Sequence, residues 1–419
     1  MVLPKKTPKE IYCHDQLVTR TGAAGSVILH GEHTLTSGKK AIAVSTNTFT
    51  QCKLDPIKMD KVEFKFPRFK LYLSIPLVDL ADLKQRLGKR FMFSELDQQS
   101  KIPLTDEART LIQTFVGNLK LNPPEGADIT NYFKFAEAYI GIYCAMFDDE
   151  IDSIEFTSNT EVPGLEAGLT AAFAVSVTAA ILHYHELIPN RKDTQREHRE
   201  KIYKWALFAQ RFLIDGEPTG VDVHVSTFGQ AVKFWQASNG AISWEEIKFP
   251  DLRVNLVLAS GPNGSFDSIF EQSQSKKQRD AKTIKDAIDK IGELTEKQLD
   301  EIKCNGTLRG DYIHNNHELL KSLGVSNEKI DKVVDIAEKV GLPAKMTNTG
   351  AGGIVLIYIP ENSSPVKTHQ LREALFKEQL YSADARLGTD GVAIDKADIR
   401  SISKLKIEQI RSFPQVAEC

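Results

Sequence analysis

Cysteine is scarce and scattered, with five residues in 419, at Cys13, Cys52, Cys144, Cys304 and Cys419. The number is odd and no two form a CxxC pair, so neither a zinc knuckle nor a secreted disulfide framework is suggested. Thiols in a reducing compartment are the expectation. No run of about 18 apolar residues occurs, and no membrane-spanning helix is expected. The opening stretch from Met1 to Glu10 lacks the apolar centre of a signal peptide. The final Cys419 does not make the C-a-a-X pattern of a prenylated chain. These absences point to the cytoplasm. A surplus of charge is missing too. The 53 basic and 56 acidic residues leave a net charge of −3, too little for a general attraction to nucleic acid or an anionic membrane. Internal repeats are also absent.

What remains is an ordinary globular composition, 41% hydrophobic and 26% charged. The length exceeds a single core, so two domains sharing an interface are expected, divided as 1–235 and 236–419. The first hundred residues carry short β-branched and aromatic runs, predicting strands over Val27 to His30, Lys40 to Val44, Val62 to Phe66 and Phe69 to Ile75. Helical spacing follows over Thr105 to Leu119, Asn131 to Ala145, Thr170 to Leu187 and Gln195 to Leu213. The third of these is rich in alanine and nearly free of charge, as in a helix buried on most sides. Beyond residue 235, a strand is predicted at Leu252 to Ala259. The charged amphipathic stretch Phe266 to Lys303 reads as a solvated helix or helix pair. Helices at Gly310 to Ser322 and Asn327 to Val340 and a strand at Ile354 to Ile359 precede a closing α/β portion. Strands first, then a mixture, is the order of an α+β protein.

Glycine turns stand where chemistry could gather. Gly25-Ser26-Val27-Ile28-Leu29-His30-Gly31-Glu32-His33 is an apolar strand that breaks into a turn carrying an acid and a histidine. Glu161-Val162-Pro163-Gly164-Leu165-Glu166-Ala167-Gly168-Leu169-Thr170-Ala171-Ala172-Phe173 places turn residues before the alanine-rich helix. Backbone N–H groups at such a helix start favour an anion, although on its own a plain helix start is the preferred reading. Pro218-Thr219-Gly220-Val221-Asp222 offers a carboxylate, the group a general base needs. Lys345-Met346-Thr347-Asn348-Thr349-Gly350-Ala351-Gly352-Gly353 is a glycine turn before a strand.

In this order, these segments resemble the motifs of the GHMP kinase superfamily, with the mevalonate kinases the most similar branch. The resemblance implies a two-domain α+β fold: an N-terminal mixed α/β domain, a C-terminal α/β domain and a nucleotide cleft between them. It implies ATP- and magnesium-dependent phosphorylation of a small alcohol, mevalonate or a similar one, in isoprenoid synthesis, and it allows a homodimer. By the same resemblance Asp222 is the catalytic carboxylate, matching P-S-G-x-D, and Glu32, His33 and Ser265 lie on the substrate side. Gly164, Gly168, Thr170, Ala171, Gly350 and Gly352 match nucleotide-binding positions, and Thr170 and Gln210 the magnesium positions. Three departures stand out. Ser26 occupies the place of the motif lysine, Gln210 that of a glutamate, and Glu166 intrudes into the glycine turn. They admit an alternative, a GHMP-fold protein of impaired activity that acts as a binding or regulatory module. The histidine pairs are not read as metal sites. His183 and His185 are two apart on a helix and cannot face one ion, and His314 and His317 have no marked further ligand.

Overall fold

The computed structural model describes residues 19–125, 127–147, 152–164, 167–189, 195–259, 281–347 and 353–394. The chain begins with two long antiparallel strands, β1 (Thr19–His30) and β2 (Ala41–Pro56). A second hairpin, β3 (Lys61–Phe66) and β4 (Leu71–Pro76), follows. Its sequence KVEFKF alternates, and Val62, Phe64 and Phe66 are buried while their neighbours are half-exposed, the period of a half-buried strand. The predicted strand from Phe69 starts two residues late, because Pro67–Phe69 forms a 3-10 turn closed by Lys70 at φ 53°.

Helices α1 (Leu77–Leu87), α2 (Phe93–Leu96), α3 (Asp106–Asn118) and α4 (Ile129–Met146) come next. Thr105 caps α3, its hydroxyl accepting from the Ala108 N–H at 3.2 Å. Strand β5 (Ile154–Thr160) precedes α5 (Leu169–Tyr184), α6 (Arg196–Gln210) and α7 (Val221–Phe228). As its composition predicts, α5 is buried almost throughout, leaving only Thr170 and His183 half-exposed. Strands β6 (Ala231–Gln236), β7 (Ile242–Ile247) and β8 (Leu252–Leu258) lead to α8 (Ala281–Asn305), α9 (Gly310–Leu323) and α10 (Glu328–Lys339). The first part of the predicted Phe266 helix, up to residue 280, lies outside the described residues. Strands β9 (Ala344–Met346) and β10 (Ile354–Tyr358), helix α11 (Pro365–Lys377), and strands β11 (Tyr381–Leu387) and β12 (Ala393–Ile394) complete the order.

Among the described residues the strands form one sheet, in the order β4-β3-β5-β2-β11-β8-β10-β9. Strand β1 pairs with β2 and β12, and β6 with β2 and β7. The β3–β5 pairing is parallel and the others are antiparallel. Helices α4 and α5 press on the β3–β5 side through an aromatic cluster. Phe173 stacks on Phe66 at 5.5 Å and meets Phe135 edge-on at 4.8 Å and Tyr139 at 4.9 Å. Such pairs add about 0.5–1.5 kcal/mol each beyond area burial, which anchors the first turn of α5, where Thr170 stands. A second core gathers Val257, Ile291, Leu320, Val333, Val355 and Leu371 from the later elements. No helix among the described residues is long and apolar enough to cross a membrane.

Candidate active site

The first strand does not run straight into its turn. Its register with β2 shifts between Ala24 and Gly25 and again between Ile28 and His30. Bulges of this kind re-aim side chains, and Ser26 follows the first. A Cβ on Gly25 would lie 2.9 Å from the Ala167 carbonyl and from the Thr46 and Thr48 hydroxyls. One on Gly168 would collide with Ser26 Oγ and the Ser26 nitrogen. Gly168 also has φ 76°, a left-handed value that glycine adopts freely. Two glycines thus let the strand and the turn before α5 touch, with Ser26 at the contact.

Helix α7 completes the arrangement. Gly220, at φ 83°, starts it, and Asp222 and Ser226, four residues apart, share the face toward β1. The Ser226 hydroxyl donates to the Ala24 carbonyl at 2.6 Å, and the Ser26 hydroxyl donates to Asp222 Oδ1 at 3.2 Å. The second bond is long for a hydroxyl on a carboxylate, where 2.5–2.7 Å marks a strong one. Burial therefore dominates and raises the Asp222 carboxyl above its usual pKa, the Ser26 hydroxyl opposing it only in part. A carboxylate whose proton is held more tightly is a better base, and such shifts concentrate at functional sites. Behind it, Gln210 at the end of α6 offers its side-chain amide to Thr170 Oγ1 across 3.5 Å. Gln210 is buried and Thr170 half-exposed.

The sequence-derived residues therefore divide into three groups. Ser26, Gly168 and Asp222 meet directly, and Gln210 meets Thr170 nearby, where α5, α6 and α7 pack together. Gly164 and Ala171 flank the same turn. Glu32 is turned elsewhere. Its side chain is 1% exposed, forms an ion pair with the fully buried Lys345 ammonium, and accepts from Asn316 Nδ2 at 3.1 Å. His33 sits beside it in the turn, half-exposed, at φ 61°. Ser265, Gly350, Gly352 and Glu166 lie outside the described residues. The histidines of α9 are occupied by carboxylates: His314 Nδ1 pairs with Glu338, and His317 Nε2 lies 3.5 Å from Asp331.

Sequence reasoning missed how Lys345 is used. The buried lysine has its pKa lowered by desolvation, opposed by Glu32, and two positions on Thr347 donates its hydroxyl to the Ile28 carbonyl at 2.6 Å. This ties the end of β9 to β1 itself. His30 lies beside the pair, fully buried, its pKa pushed well down by burial and then by Lys345. A magnesium ion takes oxygen donors and usually keeps only one or two carboxylates. The Asp222 carboxylate, the Thr170 hydroxyl and the Gln210 amide oxygen are the right kind of donor but carry one charge among them.

The fold is that of solved mevalonate kinase structures. No family model matches the chain. By sequence the chain is similar to mevalonate kinases: it is 26% identical to that of Homo sapiens over 395 residues, covering 91% of this chain and 96% of the relative. The Dictyostelium discoideum mevalonate kinase is 24% identical over 410 residues, with 90% and 97% covered. In structure, the L. major mevalonate kinase in complex with R-mevalonate aligns with a TM-score of 0.60 at 17% identity, covering 89% of this chain and 96% of that one. The Methanococcus jannaschii mevalonate kinase gives 0.59 at 16%, covering 88% and 98%.

Proposed function

We propose that this protein transfers the γ-phosphoryl group of ATP to the hydroxyl of mevalonate or a close analogue, in the cytoplasm. The observation that carries the proposal is the meeting of Ser26, Gly168 and Asp222 from three separate segments. Similarity to mevalonate kinases along nine-tenths of the chain supports it. In this reading Asp222 accepts or orients the acceptor proton, its raised pKa suiting that task. The turn from Gly164 to Ala171 offers N–H groups to phosphate oxygens, with Gly350 and Gly352 contributing from the later glycine turn. The resemblance assigns His33 and Ser265 to acceptor binding, and Thr170 and Gln210 to magnesium. Magnesium, when bound, supplies the positive charge that phosphoryl transfer requires. A division of labour at about residue 235 belongs to the same proposal, Ser26 and Asp222 lying before it and Lys345 after.

One observation favours a second reading, a binding or regulatory module with weak catalysis. Ser26 and Gln210 are both neutral, and the Asp222 carboxyl is influenced by burial and a hydroxyl rather than by a cation. Losing one electrostatic stabiliser costs about 10²–10³ in rate. The test is to titrate the protein with ATP, with and without magnesium, and then assay mevalonate turnover with Asp222→Asn as control. Saturable magnesium-dependent binding with turnover abolished in the variant supports transfer. Binding without turnover, or no nucleotide binding by folded protein, overturns transfer and supports the module.

A further inference from the structure

A cavity of about 380 Å³ opens on the outer face of α6, and neither Ser26 nor Asp222 lines it. Glu200, Tyr203, Lys204, Leu207 and Arg211 line it at i, i+3, i+4, i+7 and i+11, one face of the helix. That face lies opposite the buried one formed by Ile202, Trp205 and Ala209. Ser100 to Ile102 and Pro218 to Gly220 provide the other walls. The size falls within the range of small-molecule sites, which combine apolar walls with a few placed polar groups.

The polar groups are arranged for an oxyanion. Arg211 is 3% exposed, and its Nη1 donates to the Ile102 carbonyl at 2.7 Å. The rest of its fork grips Glu217: Nε reaches both carboxylate oxygens at 3.3 Å and Nη2 reaches Oε2 at 3.0 Å. Lys101 closes on the same Oε2 at 3.1 Å. Arg211 first, then Lys101, holds the Glu217 carboxyl down to about 2. Yet the Glu217 side chain is 65% exposed and that of Lys101 69%. A surface carboxylate thus occupies a fork built on a buried arginine, and it can swing away into water. Lys204 and the Tyr203 and Thr219 hydroxyls lie around the same space, with Ile102, Leu207 and Pro218 as apolar wall. Lys204 is engaged with Asp97 at 3.0 Å and Glu200 with Arg196 at 3.2 Å.

We propose that this cavity binds a small organic phosphate, whose phosphoryl oxygens replace the Glu217 carboxylate on Arg211 and Lys101 while its carbon body lies against Ile102, Leu207 and Pro218. Guanidinium forks match phosphate as they match carboxylate, and a phosphate monoester brings more charge and a third oxygen for Lys204 or Tyr203. Glu217 is then a built-in competitor. The site does not depend on the phosphotransferase reading, since neither Ser26 nor Asp222 lines it.

The experiment is calorimetric titration of the full chain with glycerol 3-phosphate, inorganic phosphate and acetate. Glu217→Ala removes the competitor and is expected to tighten glycerol 3-phosphate binding about tenfold over wild type. Lys101→Ala in that background is expected to reverse the gain. Arg211 keeps its bond to the Ile102 carbonyl in both variants, and circular dichroism checks that each is folded before the titration. Equal affinity across wild type and the two variants would mean that the anion binds elsewhere, the glycine turn included, and would overturn the proposal. Acetate binding as tightly as the ester would overturn the phosphate class, and inorganic phosphate doing so would overturn the organic part.

Discussion

Replacing Lys345 by methionine leaves the Glu32 carboxylate in the interior with one hydrogen bond, from Asn316. The two side chains are 0% and 1% exposed, so water cannot take the place of the ammonium. Removing one member of such a pair costs about 3–5 kcal/mol, because the other charge stays buried. The reverse variant, Glu32→Gln, costs less. Lys345 already has a lowered pKa and can shed its proton, and the new amide still accepts from Asn316. The double variant Glu32→Gln/Lys345→Met carries no buried charge, and such replacements are often neutral. It is expected to recover most of the loss, with a coupling of about 3 kcal/mol. At about 2.1 cal/mol/K per residue, unfolding all 419 residues as one unit turns 3–5 kcal/mol into about 3–6 °C. Thermal unfolding of the four proteins at neutral pH measures it. A double variant as unstable as the sum of the single losses would refute the argument, as would a Lys345→Met protein that melts with wild type.

Four other outcomes are expected. Asp222 holds its proton more tightly folded than unfolded, so its contribution is fully present below the unfolded pKa of about 3.9 and lost as pH rises through the folded value. Asp222→Asn should therefore melt above wild type near neutral pH and show no such advantage below about pH 3.9, and a flat difference would remove burial as the cause. His317 behaves oppositely. Burial lowers it to about 4, with Asp331 opposing and Lys345, Lys321 and His314 adding to the fall. Stability is then lost between about pH 6.5 and 4, up to about 3 kcal/mol at about 1.36 kcal/mol per unit, and His317→Gln should flatten that slope in acid denaturation. Gly168→Ala places a Cβ against Ser26 at a left-handed φ, and a loss above about 2 kcal/mol in urea unfolding is expected, since the left-handed backbone alone costs about 1–2. Ser26→Lys restores a cation beside Asp222 and should raise turnover by about 10²–10³ if charge is what limits transfer; folded variant with unchanged turnover would dismiss that explanation.

Elements with a clean period were legible before the fold was known. The alternation of KVEFKF marks β3, and the apolar spacing with Thr105 before it marks α3. Helix α7 was not legible. Its sequence VDVHVSTF is rich in β-branched residues, whose restricted rotamers disfavour helix, and only its packing on β1 and α5 makes a helix of it. Strand β11, YSADARL, is short and polar, so its place in the middle of the sheet leaves no local trace. The site divides in the same way. Ser26, Gly168 and Asp222 stand in short patterns that can be matched along the chain. The Glu32–Lys345 pair joins residues 313 apart, and nothing in the neighbourhood of either announces the other.

The placement of β11 has a consequence for biosynthesis. It pairs with β8 on one side and, through Leu387 and Thr46, with β2 on the other, so a strand translated after both fills a slot between strands made earlier. Until it emerges from the ribosome, the edges of β2 and β8 that it will cover are open to any other extended segment. The nascent protein must hold that gap unfilled while the residues between β8 and β11 are being synthesised, the period in which a chaperone has most to protect.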